Sequence, residues 1–187
     1  MRKASALLLA LGLAITLGAC SSSDGTPNFD GSGQVTPTPD PSLIPSAAPA
    51  GLRQVDSEIF SDGFGDYIFK VGDGPTWCSI SPEEAFVLCE HNEAAATYPT
   101  IPIPDTCAYS YGYQVRLWAT KPATGNIAEF PCMGGSYADP TNANALASGE
   151  QITVAPFNCY VDDITARCEN ESGQYIALGP AVWALGN

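Results

Sequence analysis

The sequence predicts a mainly β fold: a small, disulfide-stapled antiparallel domain of hairpins or a meander, with at most short helical turns. Three observations predict it. Six cysteines, an even set, lie between residues 78 and 168. Short runs rich in β-branched and aromatic residues recur between Gly, Pro and Asp turns. No segment joins a helical apolar period to helix caps.

The expected strands, in order, are Tyr67–Val71, Trp77–Ile80, Phe86–Glu90, Tyr109–Ala119, Asn126–Pro131, Gln151–Val161, Thr165–Asn170 and Gln174–Leu178. Each alternates or runs apolar over a strand's length and meets a turn residue at its end. Glu83–Leu88 and Asn142–Ser148 have the composition for single helical turns. In Tyr109–Ala119, Tyr109, Tyr111 and Tyr113 fall at alternate positions and so on one strand face, with Cys107, Val115 and Leu117. That company points to core, the alternative being a tyrosine platform for sugar rings or a protein partner. Trp118 and Arg116 alternate with that row. Trp118 falls on the opposite face, and the two are the candidate ligand contacts.

Six cysteines allow 15 pairings in principle. Two segments narrow the choice, because Trp77-Cys78 to Cys89-Glu90 resembles Phe157-Asn158-Cys159 to Cys168-Glu169. In each, a strand, a turn and a second strand ending in Cys-Glu form a hairpin. Facing Cys78 with Cys89 also faces Ile80 with Val87, and facing Cys159 with Cys168 faces Val161 with Ala166. Opposed residues in a non-hydrogen-bonded pair lie ~4.5 Å apart at Cα, within disulfide reach. The expected bridges are therefore 78–89 and 159–168, leaving Cys107 with Cys132. Metal ligation is disfavoured, since there is no Cys-x-x-Cys and His91 is the sole histidine.

Residues 1–19 read as a signal peptide: basic Arg2-Lys3, an apolar run from Ala4 to Thr16, then small residues. The run falls short of the ~20 residues that span a bilayer. Leu17-Gly18-Ala19-Cys20 resembles the bacterial lipobox, which implies acylation of Cys20, a palmitate-type anchor and an extracytoplasmic address. Two or three acyl chains hold a protein firmly at ~0.8 kcal/mol per buried CH₂. Residues 20–53 are Ser, Pro, Gly and Asp-rich, a disordered tether that reaches roughly 30 Å as coil. Residues 54–187 form the domain.

Without Arg2 and Lys3, five basic residues face twenty carboxylates, a net charge of −15. Such a surface repels nucleic acid and anionic lipid headgroups. The membrane is then reached through the lipid alone.

Enzyme chemistry finds little to work with. A hydrolase nucleophile needs an adjacent base, usually His, and His91 is expected in an exposed stretch. No Gly-x-Ser-x-Gly or Ser-x-x-Lys is present. Glu83-Glu84 and Asp162-Asp163 offer paired carboxylates for a glycan hydrolase, but both fall in expected hairpin turns. Asp62-Gly63-Phe64-Gly65-Asp66 does not have EF-hand spacing and reads as a turn. No catalytic residue, metal or cofactor is expected.

Phe157-x-Cys159, Thr165-x-x-Cys168-x-Asn170-x-x-Gly173 and Tyr175-Ile176-Ala177-Leu178 resemble a small Cys-rich domain of exported proteins and lipoproteins of actinobacteria. Trp77-Cys78, Cys89-Glu90, Cys107, Tyr111-Gly112 and Phe130-Pro131-Cys132 fall where that pattern places them. Many proteins with that pattern carry Ser-Pro-Ser-Gly-Asn-Ile where this chain has Val71-Gly72-Asp73-Gly74-Pro75-Thr76. The resemblance implies a disulfide-rich β domain and brings no catalytic residues. The expected role is a non-catalytic binding or adaptor module of the cell envelope. Its ligand would be an envelope glycan or an exported protein partner.

Overall fold

The computed structural model describes Ile44 and residues 48–187. Cys20, the lipobox and most of the tether lie outside the described residues. The described chain forms β1 (Arg53–Gln54), β2 (Tyr67–Val71), β3 (Thr76–Ser81), β4 (Phe86–His91), β5 (Gln114–Trp118), β6 (Ala128–Glu129), β7 (Asn144–Leu146), β8 (Glu150–Val154), β9 (Phe157–Asp162), β10 (Thr165–Asn170), β11 (Tyr175–Gly179) and β12 (Val182–Gly186). Its only helical pieces are two 3₁₀ turns, Ser57–Phe60 and Glu93–Ala95. The domain is mainly β, as expected.

The strands make two six-stranded sheets, in the order β6-β5-β4-β3-β2-β7 and β1-β8-β9-β10-β11-β12. Within each, five consecutive strands run as an antiparallel meander. The sixth strand departs from the antiparallel expectation: β7 pairs parallel with β2, and β1 pairs parallel with β8. The short strand before each meander thus joins the edge of the other meander's sheet.

The two meanders repeat one plan. The row Phe69, Cys78, Cys89, Val115 crosses β2 to β5 of the first sheet. The row Ile152, Cys159, Cys168, Ile176 crosses β8 to β11 of the second. All eight side chains are buried in the core between the sheets. The bridges are Cys78–Cys89, Cys159–Cys168 and Cys107–Cys132. Ile80 faces Val87 and Val161 faces Ala166, the registers the hairpins require. The sulfurs of Cys78, Cys89 and Cys168 lie within 4.8 Å of one another, so the two hairpin bridges stack at the centre of the sandwich. Being oxidised, these sulfurs offer no thiolate to a metal.

Several expected elements are corrected. Tyr109–Ala119 pairs only over Gln114–Trp118. Gly112 sits at φ +91, and a Cβ there would come within 2.8 Å of Ile101, so the chain bends before the ladder begins. The three tyrosines therefore share no strand face. Gln151–Val161 is two strands, because Pro156 has no N–H to continue a ladder. Asn126–Pro131 pairs only over Ala128–Glu129.

Neither expected helical turn forms. Asn142–Ser148 instead supplies β7, whose backbone bonds the open edge of β2. An isolated helical turn would leave those groups unpaired. Phe86–Leu88 belongs to β4, after a turn with Ala85 at φ 58. Arg53, assigned above to the tether, belongs to β1 and pairs with Glu150. His91, expected in an exposed stretch, is 4 % exposed, because β4 is a central strand with neighbours on both sides.

Candidate functional site

Leu117 of β5 pairs with Ala128 of β6, and β6 lies beside β12 of the opposite sheet. The Asn187 side chain accepts the Ala128 N–H at 3.0 Å and closes that junction. An open cleft of ≈ 530 Å³ lies here. Its apolar wall is a chain of rings. Tyr111 and Phe130 have centroids 5.7 Å apart, and Phe130 meets Trp183 edge-on at 4.8 Å. Pro102 and Pro104 also line it, and Asn126 and Glu129 supply polar groups. The Cys107–Cys132 bridge ties the loop carrying Pro104 and Tyr111 to the segment carrying Phe130. This disulfide, outside the two hairpins, fixes the walls of the cleft.

Glu129 joins the cleft to the residues singled out from the sequence. Its Oε1 accepts Nε and Nη2 of Arg116 at 3.2 and 2.6 Å and Nε1 of Trp118 at 3.1 Å. The Arg116 guanidinium lies 4.4 Å over the Trp118 ring, and Phe86 meets that ring edge-on at 5.6 Å. Trp118 is thus half-buried and held from several sides rather than a bare platform. Val115 and Leu117 alternate into the core, so Arg116 and Trp118 do face outward. Charge-assisted bonds of this kind fix the carboxylate's position.

Two donors belong to residues that line the cleft. Burial, and secondarily the Glu129 charge, pushes the Tyr111 hydroxyl above its usual range, so it stays protonated. Trp183 Nε1 is buried and has no hydrogen-bond partner. An orphan indole N–H costs free energy until something accepts from it. The sequence pattern does not single out Trp183. Its signal is faint, an aromatic in the apolar run Ala181–Leu185 following Gly179-Pro180.

The other chemically dense spot is a pocket of ≈ 240 Å³ between Trp77, Glu90, His91 and Gln114. Glu90 is 2 % exposed and accepts from Trp77 Nε1, Gln114 Nε2, Ser136 Oγ and the Tyr137 N–H. Its lone pairs are occupied by structure. Thr76 Oγ1 lies 2.6 Å from His91 Nδ1, the pairing of a nucleophile with its base. Thr76 is 1 % exposed, so no substrate reaches its hydroxyl. The contact is internal packing.

The remaining motifs resolve as turns. Asp62 Oδ1 accepts the N–H groups of Phe64 and Asp66 at 2.7 and 3.1 Å. Asp66 in turn accepts from the Tyr137 hydroxyl. Glu83, Glu84 and Asp163 sit in hairpin turns and are exposed, as is Asp162 at the end of β9.

Compared with protein-family models, with curated proteins and with solved structures, the chain matches none. The three disulfides are compatible with an extracytoplasmic location, and no helix among the described residues is long and apolar enough to cross a membrane.

Proposed function

We propose that the chain is a lipid-anchored cell-envelope protein whose β domain is a non-catalytic module that binds an envelope glycan in the cleft of Tyr111, Phe130 and Trp183. The signal-peptide pattern and Cys20 support the anchor, and the resemblance to exported Cys-rich domains agrees with that address. The observation that carries the glycan reading is the cleft's make-up. A wall of rings offers stacking area for the apolar face of a sugar, and Asn126, Glu129 and Tyr111 supply hydroxyl-matching groups around it. Ligand sites of this type combine apolar area with a few placed polar groups. Arg116 and Trp118 act behind the site by holding Glu129.

The module is read as non-catalytic because Glu129 is the cleft's carboxylate and its Oε1 already serves three donors. A glycosidase needs a second carboxylate ~5–9.5 Å away.

The test is co-sedimentation of the oxidised mature chain with protein-stripped cell-wall material, beside Trp183→Ala and Trp118→Ala. Saturable pelleting that Trp183→Ala abolishes and Trp118→Ala weakens supports the reading. A folded protein that never pellets sinks it and sends the search to a protein partner, by cross-linking in intact cells.

A further inference from the structure

The two oxygens of Glu129 are in different situations. Oε1 accepts from Nε and Nη2 of Arg116 and from Nε1 of Trp118. Oε2 accepts no hydrogen bond among the described residues and, not being buried, meets solvent. What keeps it open is the turn that leads into β6. A Cβ at Gly125 would stand 2.9 Å from Oε2. The three bonds on Oε1 would keep the carboxylate from swinging aside. Gly125 also has φ +90, where a side chain is strained. Glycine at this position therefore leaves a carboxylate acceptor uncovered.

The same cleft holds a second uncommitted polar group. The Tyr111 hydroxyl makes no hydrogen bond among the described residues, and the Glu129 charge acts on it. Glu129 is the one charged side chain among the described residues that line the cleft. Arg116 balances that charge formally, but it bonds Oε1 and does not line the cleft. A ligand in the cleft thus meets Oε2, not the guanidinium.

A carboxylate oxygen accepts and never donates. It forms charge-assisted bonds with a hydroxyl and stronger ones with an ammonium, whose charge it also attracts. It repels a carboxylate or phosphate, and the chain's net charge of −13 acts in the same direction. The ring faces of Phe130 and Trp183 add to this, since a π face attracts cations. We infer that Glu129 Oε2 decides which glycan the cleft takes. It selects a sugar that presents a free amine, admits a neutral sugar through a hydroxyl, and excludes anionic sugars. This rests on the glycan reading of the cleft given above.

The substitution Glu129→Gln reads out that role directly. Three donors crowd the Oε1 position, so the new amide keeps its oxygen there and places its NH₂ where Oε2 was. The shape holds, while the group facing the cleft turns from acceptor to donor.

The test is competition against cell-wall pelleting of the oxidised mature chain with Cys20→Ser. The competitors are equal-length oligomers of glucosamine, N-acetylglucosamine and galacturonic acid. The expected result is that the amine oligomer competes about tenfold better than the N-acetylated one and the uronate does not compete. In Glu129→Gln, shown folded by its melting curve, the amine and uronate oligomers come within about threefold of each other. Gly125→Ala, whose methyl crowds Oε2, weakens competition by the amine oligomer while melting as a folded protein. Pelleting that needs Trp183 but shows no order among the three oligomers, or the same order in Glu129→Gln, overturns this inference alone. Pelleting that Trp183→Ala leaves untouched, or none at all, overturns the cleft reading and this inference with it.

Discussion

The Glu90 carboxylate accepts the Tyr137 backbone N–H at 3.1 Å across a sequence separation of 47, and so ties a central strand to a surface loop. All four kinds of group around it donate: an indole, an amide, a hydroxyl and backbone N–H groups. Glu90→Gln keeps the shape but turns one acceptor into a donor facing donors. It should cost roughly 1–3 kcal/mol. Urea unfolding measures that loss, and proteolysis near Tyr137 should quicken as the loop lifts. An unchanged midpoint would mean the network contributes nothing.

The stacked bridges predict a second loss. Cys159→Ala with Cys168→Ala opens a ring of sequence separation 9. The loop-entropy model gives roughly 2–3 kcal/mol for a ring of that size. For a domain of this length the melting temperature should fall by about 10 °C. The equivalent pair at Cys78 and Cys89 should behave alike, since it holds the same place in the other sheet. Calorimetry of both double variants checks this, and a much smaller effect in one of them would break the equivalence.

Much of this plan is legible in the sequence. The repeated spacing of aromatic, Cys and Cys-Glu fixes two hairpins, their registers and all three bridges, because a side-chain period of 2 leaves no freedom once one pair is set. The strand pairings between distant segments are not legible. β1 and β7 are too short to carry a period, and only an open sheet edge tells them to be strands. The tyrosine run fails for the opposite reason: its alternation is strong, but Gly112 turns the chain under it. Arg116 and Trp118 were legible as outward residues by alternation with Val115 and Leu117. Their tie to Glu129, and the role of Trp183, depend on two sheets meeting, which local pattern does not encode.

Acid should weaken the domain partly through His91. Burial lowers its pKa, with an opposing contribution from the Ala95 backbone. The unfolded chain therefore binds a proton more readily than the folded one. Its contribution is fully present above the unfolded value near 6.5 and is lost as pH falls through the lower folded value. The corresponding place in the second sheet holds Asn170. His91→Asn should flatten the stability profile between about pH 7 and 5. Urea midpoints at several pH values, on both proteins, measure the slope. Equal slopes would show that other groups carry the acid sensitivity.

Trp183 offers the sharpest separation of binding from stability. Its Nε1–H is buried without a partner, while its ring packs on Phe130 at 4.8 Å. Trp183→Phe keeps a ring in place and removes the orphan donor. Removing an unsatisfied polar group from a buried position is close to neutral for folding. If a bound glycan shifts the ring enough to reach the buried N–H, the same change should weaken cell-wall binding about tenfold, equal to the ~1.4 kcal/mol of one hydrogen bond. Trp183→Ala, which also loses the stacking area, should weaken it further and lower stability as well. Binding isotherms and melting curves on the two variants separate the cases. Full binding by a stable Trp183→Phe protein would leave the ring as the contact and deny the N–H any part in recognition.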